Sequence, residues 1–338
     1  MAESVLITGA NGEVGHGLIQ ELAKLKKYEI IALDINDLDD PLKPNVREFI
    51  KDSILNKTQI EAALTKNKVS IIFHLAAILS TGAEKNPEQA IEVNSQGTST
   101  LLSGANRVCQ KEKRVIKFIF PSSIAVYGVP NLETKTRSGA ITEGQFLNPI
   151  TIYGITKLYC ENLGKYFSTN YQLLSTNSQR YLDFRCLRFP GIISAITLPT
   201  GGTSDYAPEM IHSAAKGEGY ESFVRPNTKI PFMVMPDAIK ALIQLAENPK
   251  EKLTQKVYNV TSFSVTAENI AQIINKVFPD SAISYNPDEA RQKIVDSWPG
   301  NIDDSRARTD WGWQPEYDFQ KSFSEYLIPE IQNRYNRQ

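Results

Sequence analysis

The chain has 338 residues, enough for one large α/β unit or two packed lobes, since single cores seldom grow past roughly 250–300 residues. Its 41% hydrophobic and 22% charged residues are ordinary for a globular protein, and a net charge of −1 supplies no field for a polyanion, which argues against a nucleic-acid partner. Three scattered cysteines, Cys109, Cys160 and Cys186, fit neither a disulfide framework nor a zinc site, and no apolar run approaches the ~20 residues of a membrane span.

Met1-Ala2-Glu3-Ser4 runs straight into Val-Leu-Ile-Thr-Gly, a start that leaves no place for a leader peptide, so a cytoplasmic protein without membrane contact is expected. Short apolar runs at Val5–Thr8, Ile30–Asp34, Ser70–Leu75, Lys117–Ser122 and Asp183–Arg188 read as strands. Helical stretches near Val14–Lys26, Gln59–Lys66, Gln89–Cys109 and Ile155–Tyr171 alternate with them, the pattern of a doubly wound parallel sheet. Asp37–Pro44 and Val129–Asn148 read as surface loops. From about Pro190 the texture turns to Gly/Pro-rich loops, with helices at Tyr206–Lys216, Asp237–Glu247 and Ala267–Val277 and isolated strands at Ser222–Arg225 and Gln255–Val260. The expected division is a dinucleotide-binding domain over 1–189 and a smaller α/β lobe over 190–338, with the chain crossing back.

The first strand ends in Gly9-Ala10-Asn11-Gly12-Glu13-Val14-Gly15, where a helix begins, so glycines stand where backbone turns tightly and approaches a pyrophosphate. Asp34, at the end of the second strand ~20 residues on, is placed to accept hydrogen bonds from ribose hydroxyls and to repel the extra phosphate of NADP. NAD is the expected cofactor; the alternative for Asp34 is a solvated strand-end carboxylate.

Tyr153-Gly-Ile-Thr-Lys157 puts a phenol and an ammonium on one helix face. The strand before it ends in Pro121-Ser122-Ser123, delivering hydroxyls to the sheet edge where ligands of such folds bind. A tyrosine is a poor base at neutral pH, and a neighbouring cation favours its phenolate. Tyr153 as general base, Lys157 lowering its pKa and Ser123 holding the substrate oxygen is a constellation for hydride transfer to a nicotinamide. Tyr-x-x-x-Lys alone is common on solvated helices; the glycine turn, the Ser-Ser strand end and Asn94 in Val93-Asn94-Ser-Gln-Gly97 make the combination specific.

Together these motifs resemble the extended short-chain dehydrogenase/reductase (NAD-dependent epimerase/dehydratase) superfamily over nearly the whole chain. The resemblance implies a Rossmann-type sheet, with Asp52 and Ile54 by the adenine, Leu75-Ala76-Ala77 bordering the diphosphate and ribose, and Pro190-Gly191-Ile192 near the nicotinamide. It aligns Ser123 with the catalytic Ser/Thr and leaves Ser122 a structural role. Gly201-Gly202-Thr203-Ser204-Asp205-Tyr206-Ala207, Arg225-Pro-Asn-Thr-Lys-Ile-Pro231 and Asp296-Ser297-Trp298-Pro299 are similar to the branch that oxidises the β-hydroxyl of L-threonine to 2-amino-3-oxobutyrate, whose members are metal-free homodimers.

For such a substrate Ser80, Thr203 and Gly191 are candidate contacts beside Ser123 and Tyr153, and Trp298 a wall against water. The alternatives are loop-backbone bonding for Ser80 and Thr203 and a core role for Trp298. Residues 133–148 and 168–181 are longer than the pattern, and Val234 replaces an aromatic residue. His74 reads as a satisfied core residue, and with His16 and His212 it makes no metal site. Two other functions use the same motifs: a nucleotide-sugar epimerase or dehydratase that retains its NAD, and a redox sensor that binds the dinucleotide without turnover.

Overall fold

The computed structural model describes residues 2–170, 180–199 and 201–336; of the polar run 168–181, residues 171–179 lie outside them. The chain forms two compact units. The first comprises Met1–Ser122, Ile155–Arg188 and Ile239–Tyr258, the second Ser123–Gly154, Phe189–Ala238 and Asn259–Gln338.

The first unit is built on seven strands: β1 (Glu3–Thr8), β2 (Tyr28–Asp34), β3 (Glu48–Lys51), β4 (Ile71–His74), β5 (Ile116–Ser123), β6 (Leu182–Phe189) and the edge strand Val257–Asn259. Their order is Val257–Asn259, β6, β5, β4, β1, β2, β3. β1 pairs in parallel with β2 and β4, β2 with β3 and β4 with β5. Strands so covered on both faces read as continuous apolar runs, and Val5, Leu6, Ile7, Ile30, Ile31, Ala32 and Leu33 are all at most 2% exposed. Helices Glu13–Lys24 and Lys57–Lys66 bury Leu18, Ile19 and Leu22, and Ile60, Ala63 and Leu64. The chain runs outward in both directions from the β1/β4 pair, so the switch point of this doubly wound sheet lies at their C-terminal ends.

The strands expected to be isolated are not. Val257–Asn259 is the sheet's edge; the strand expected at Ser222–Arg225 lies instead at Tyr220–Ser222, sharing only Ser222 with that expectation, and pairs in parallel with Ile283–Tyr285. Partners far away in sequence leave no trace in local pattern. The expected helix Gln89–Cys109 is found within a continuous helical stretch, Pro87–Ala90, a π-helical segment Ile91–Gly97 and Thr98–Glu112. In the second unit Lys229–Val234 is the middle of a three-stranded sheet, antiparallel to Phe263–Thr266 and parallel to Gly191–Ile193. The stretch Val129–Asn148 holds a helix, Leu132–Arg137, and its Lys135 and Ile141 are buried, so it is no simple surface loop.

All three cysteines are free and buried, and burial pushes the Cys109 and Cys160 thiols up to about 11. Among the described residues no helix is long and apolar enough to cross a membrane.

His74, fully buried at the end of β4, is bonded on both ring nitrogens, to Thr8 Oγ1 at 2.7 Å and Thr98 Oγ1 at 2.8 Å. Burial, followed by the charge of Lys157, pulls its pKa down to about 3. A histidine depressed in the folded state costs stability as pH falls below its unfolded value near 6.5, because the unfolded chain takes the proton first. Between pH 7 and pH 5 His74 should remove ~2 kcal/mol. Urea denaturation at the two pH values should show that loss shrinking by this amount in His74→Gln; an equal loss in both proteins would contradict the assignment.

Candidate active site

In the first unit, the turn after β1 is fixed by backbone bonds from Gly9 and Ala10 to Leu33 O at 2.9 and 3.3 Å. Gly9 has φ +68°, and a Cβ there would stand 2.6 Å from Ala76 N. The Leu75-Ala76-Ala77 segment after β4 therefore presses against the turn after β1, backbone to backbone, at the switch point. Helix Glu13–Lys24 begins with Glu13, Val14 and Gly15, and its N-cap is Gly12, which has no side chain to accept the first-turn N–H groups. Those donors and the positive end of the helix dipole suit a diphosphate. Leu75 N donates to Thr8 O at 3.0 Å.

Asp34 is buried at the end of β2, its two carboxylate oxygens accepting from Asn11 N and Asn36 N, each at 2.9 Å. A carboxylate oxygen has a second lone pair, so both remain competent to accept from ribose hydroxyls. Asp52 accepts from Ser53 N and Asn56 Nδ2 at 2.7 and 2.9 Å, with Ile54 buried beside it in sequence. The residues fit an NAD-type dinucleotide: an open helix terminus, a glycine cradle and an acidic ribose partner.

Asn94 Oδ1 accepts from Ile78 N at 2.7 Å, and its Nδ2 donates to Ile78 O at 3.0 Å and Thr156 Oγ1 at 3.3 Å. It thereby joins the segment after Ala77 to the helix Ile152–Lys165. That helix carries Tyr153 and Lys157 one turn apart. Lys157 is buried, donates to Pro121 O at 2.8 Å and lies 4.6 Å from the centre of the Phe120 ring. Burial brings its ammonium down to about 8. Ser122 donates to Glu161 at 2.6 Å, and the same buried carboxylate accepts from Arg188 Nε and Nη2 at 2.8 and 2.7 Å, which gives Ser122 the structural role expected of it. Glu161 and Arg188 were not singled out from sequence, although a fully buried opposite-charge pair is what joins these elements. Ser80 opens the short helix Ser80–Lys85.

In the second unit, Ser123 caps the turn Ile124–Val126, its Oγ accepting from Ala125 N at 3.1 Å. Because that oxygen accepts there, the hydroxyl proton can be given to a substrate oxygen. Gly154, next to Tyr153, meets this turn so closely that a Cβ would run into the Ala125 carbonyl. The Ser123 turn and the Tyr153 helix start are thus held side by side. Tyr153 is half-buried by area, and burial pushes its phenol well above the usual 10.

Pro190 and Gly191 are buried and Ile192 half-buried, in and just before the strand Gly191–Ile193. Thr203 is buried in a loop pinned by Arg291, whose Nη2 donates to Gly202 O at 2.7 Å while its guanidinium lies 3.1 Å from the centre of the Phe223 ring. Trp298 is 5% exposed and follows the helix Glu289–Asp296. Near it in sequence, Asp296 holds Arg225 Nη2 through both oxygens at 2.7 and 2.8 Å. This pair borders a cavity of about 820 Å³ that Leu132, Ile150, Pro287 and Ser297 also line.

The sequence matches the NAD dependent epimerase/dehydratase family over residues 5–261. The chain belongs to that family. It is an enzyme of the epimerase/dehydratase group, and its similarity to other members extends through both units. It is 36% identical over 317 residues, 94% of this chain and 79% of the relative, to the mitochondrial L-threonine 3-dehydrogenase of Bos taurus. Among solved structures, L-threonine dehydrogenase from Clostridium difficile superposes with TM-score 0.86 at 31% identity, covering 98% of both chains. A monomeric L-threonine 3-dehydrogenase from a metagenome superposes with TM-score 0.82 at 36% identity, covering 98% of this chain and 99% of the other.

The close approach at Gly154 has a measurable sign. In an unhindered helix, Gly→Ala stabilises by ~1 kcal/mol. Here the added methyl meets a backbone carbonyl, and overpacking costs ~1–3 kcal/mol. Gly154→Ala should lower the midpoint of thermal unfolding; a higher midpoint would show that the turn and helix are not packed in this way.

Proposed function

We propose that the enzyme oxidises the β-hydroxyl of L-threonine to 2-amino-3-oxobutyrate, with Tyr153 as general base and NAD as hydride acceptor. The observation that carries this reading is the packing of the Ser123 turn against the start of the helix bearing Tyr153 and Lys157. Its choice of substrate is supported by the likeness, in sequence and fold, to proteins named as threonine dehydrogenases.

Ser123 donates to the substrate hydroxyl oxygen and orients it. Tyr153 removes that hydroxyl's proton as the Cβ–H bond breaks and the C=O bond forms. When bound, NAD supplies the acceptor for the hydride that leaves Cβ. Burial alone makes the Tyr153 phenol a worse proton acceptor site for catalysis at neutral pH, because it disfavours the phenolate. The Lys157 ammonium, one turn away, offsets this, and it is the group that would hold the nicotinamide ribose when NAD is bound. Gly9, Asn11, Gly12, Glu13, Val14 and Gly15 would hold the diphosphate; Asp34 would bind the adenosine ribose and select NAD over NADP; Asp52 and Ile54 would flank the adenine. Leu75, Ala76 and Ala77 in the first unit and Pro190 and Ile192 in the second would border the cofactor when it is bound, and Asn94 holds the segment after Ala77 through its two bonds to Ile78. Ser80 and Thr203 bind the amino acid's charged groups, Gly191 leaves room for them, and Trp298 excludes water.

Absorbance at 340 nm should rise with L-threonine and NAD as NADH forms, and far more weakly with NADP. Tyr153→Phe should lower kcat by ~10²–10⁴. No reduction with L-threonine, or full rate in Tyr153→Phe, would overturn the reading.

The enzyme acts as a cytoplasmic homodimer in this proposal. Exposed Ile91, Ile155, Tyr159 and Tyr166 provide apolar surface on the elements expected to pair, and three free thiols suit a reducing compartment. Analytical ultracentrifugation should give twice the chain mass, and Tyr159→Glu should shift it to one; a single-chain mass for the parent would remove the dimer.

A further inference from the structure

Residues 128–148 reach the turn that contains Trp298 at points on both sides of it. Lys135, 8% exposed, sends its Nζ to Val295 O at 2.9 Å. The same carbonyl accepts the Trp298 amide at 3.2 Å, so one acceptor joins the brace to the residue it would set. Val129 N donates to Ser297 O at 2.8 Å. Beyond the tryptophan, Ile141 N donates to Asn301 O at 3.0 Å and Asp303 N returns to Ile141 O at 2.9 Å, forming a bridge between Ile141 and Ile302. Asn259 closes this end, its Nδ2 donating to Ile141 O and Asp303 O at 3.1 and 3.2 Å while its Oδ1 accepts from Tyr127 OH at 2.7 Å.

These links matter because much of the space between the segment and helix Glu289–Asp296 is the 820 Å³ cavity, where apolar packing cannot hold the two together. A cation at the C-terminal end of that helix also complements its dipole and satisfies a terminal carbonyl. Burial brings the Lys135 ammonium down to about 8; of the charged groups around it, Asp296 favours the ammonium and Arg225 opposes it.

We infer that residues 128–148 are a brace that fixes the Ser297-Trp298-Pro299 turn, with Lys135 as a positioning residue that sets Trp298 over the amino-acid substrate. This rests on the proposed role of Trp298. Removing the Lys135 amine should loosen the turn, raise the KM for the amino acid and leave unaffected the glycine turn and Asp34, the parts of the dinucleotide site that the first unit supplies.

The test compares parent, Lys135→Met and Lys135→Arg in the full-length protein. Lys135→Met should raise the KM for L-threonine about tenfold, the scale of one lost charge-assisted hydrogen bond. The KM for NAD should change less than twofold, and Lys135→Arg, which keeps the cation, should recover most of the loss. An unchanged L-threonine KM, or equal rises in both KM values, would overturn the brace. Amide hydrogen exchange separates this from the functional proposal, since it needs no turnover. If the parent does not oxidise L-threonine, faster exchange at Trp298 and Asp303 in Lys135→Met still upholds the brace, and unchanged exchange rejects it. Should Lys135→Met not fold, Lys135→Gln is read by the same two measurements.

Discussion

A carboxylate with no exposed surface carries the heaviest obligation in this molecule. Glu161, on the helix Ile152–Lys165, accepts two hydrogen bonds from Arg188 on β6 and one from Ser122 on β5. A buried charge that loses its partner costs ~3–5 kcal/mol, so these three elements are held in a single arrangement. One further contact and one pKa shift lie beside it: the Lys157 ammonium reaches Pro121 O one residue before Ser122, and its depressed pKa follows from its burial. The ion pair does little for net stability compared with an apolar replacement, but it determines where the helix can sit.

The two units meet their polar requirements in different ways. In the first, the sheet supplies a dense apolar core, within which the buried side chains of Asn94, His74 and Glu161 are hydrogen-bonded to neighbouring elements. In the second, backbone and side-chain hydrogen bonds link segments far apart in sequence, as at Asn259 and Lys135. Such links give direction without bulk. A hydrogen bond fixes orientation, whereas a hydrophobic contact would fix distance alone.

The strands that carry function were legible in the sequence because a parallel sheet buried on both faces writes itself as continuous apolar runs; β1, β2, β4, β5 and β6 all follow such runs to within about two residues. The glycine turn and the Tyr153–Lys157 pair were visible for a related reason, since backbone geometry and helix period constrain residue type directly. Glu48–Lys51 was not read as a strand, because it is a half-exposed edge with charged ends. Helix Glu289–Asp296 buries only Gln292 and Val295 and so lacks an apolar stripe. Lys135 was hidden for the opposite reason: a lysine in a polar stretch signals solvent, and its burial depends on a carbonyl 160 residues away.

The distribution of thiols has a practical consequence. Cys109, Cys160 and Cys186 all belong to the first unit, so the second contains none. A thiolate must form and reach solvent before it can be alkylated, and burial opposes both. The rate at which a small electrophile labels the protein is therefore a clock for opening of the first unit alone, whereas the fluorescence of Trp298, Trp311 and Trp313 follows only the second. Nature has placed separate reporters in the two halves, and the order in which they come apart can be timed without adding a single label.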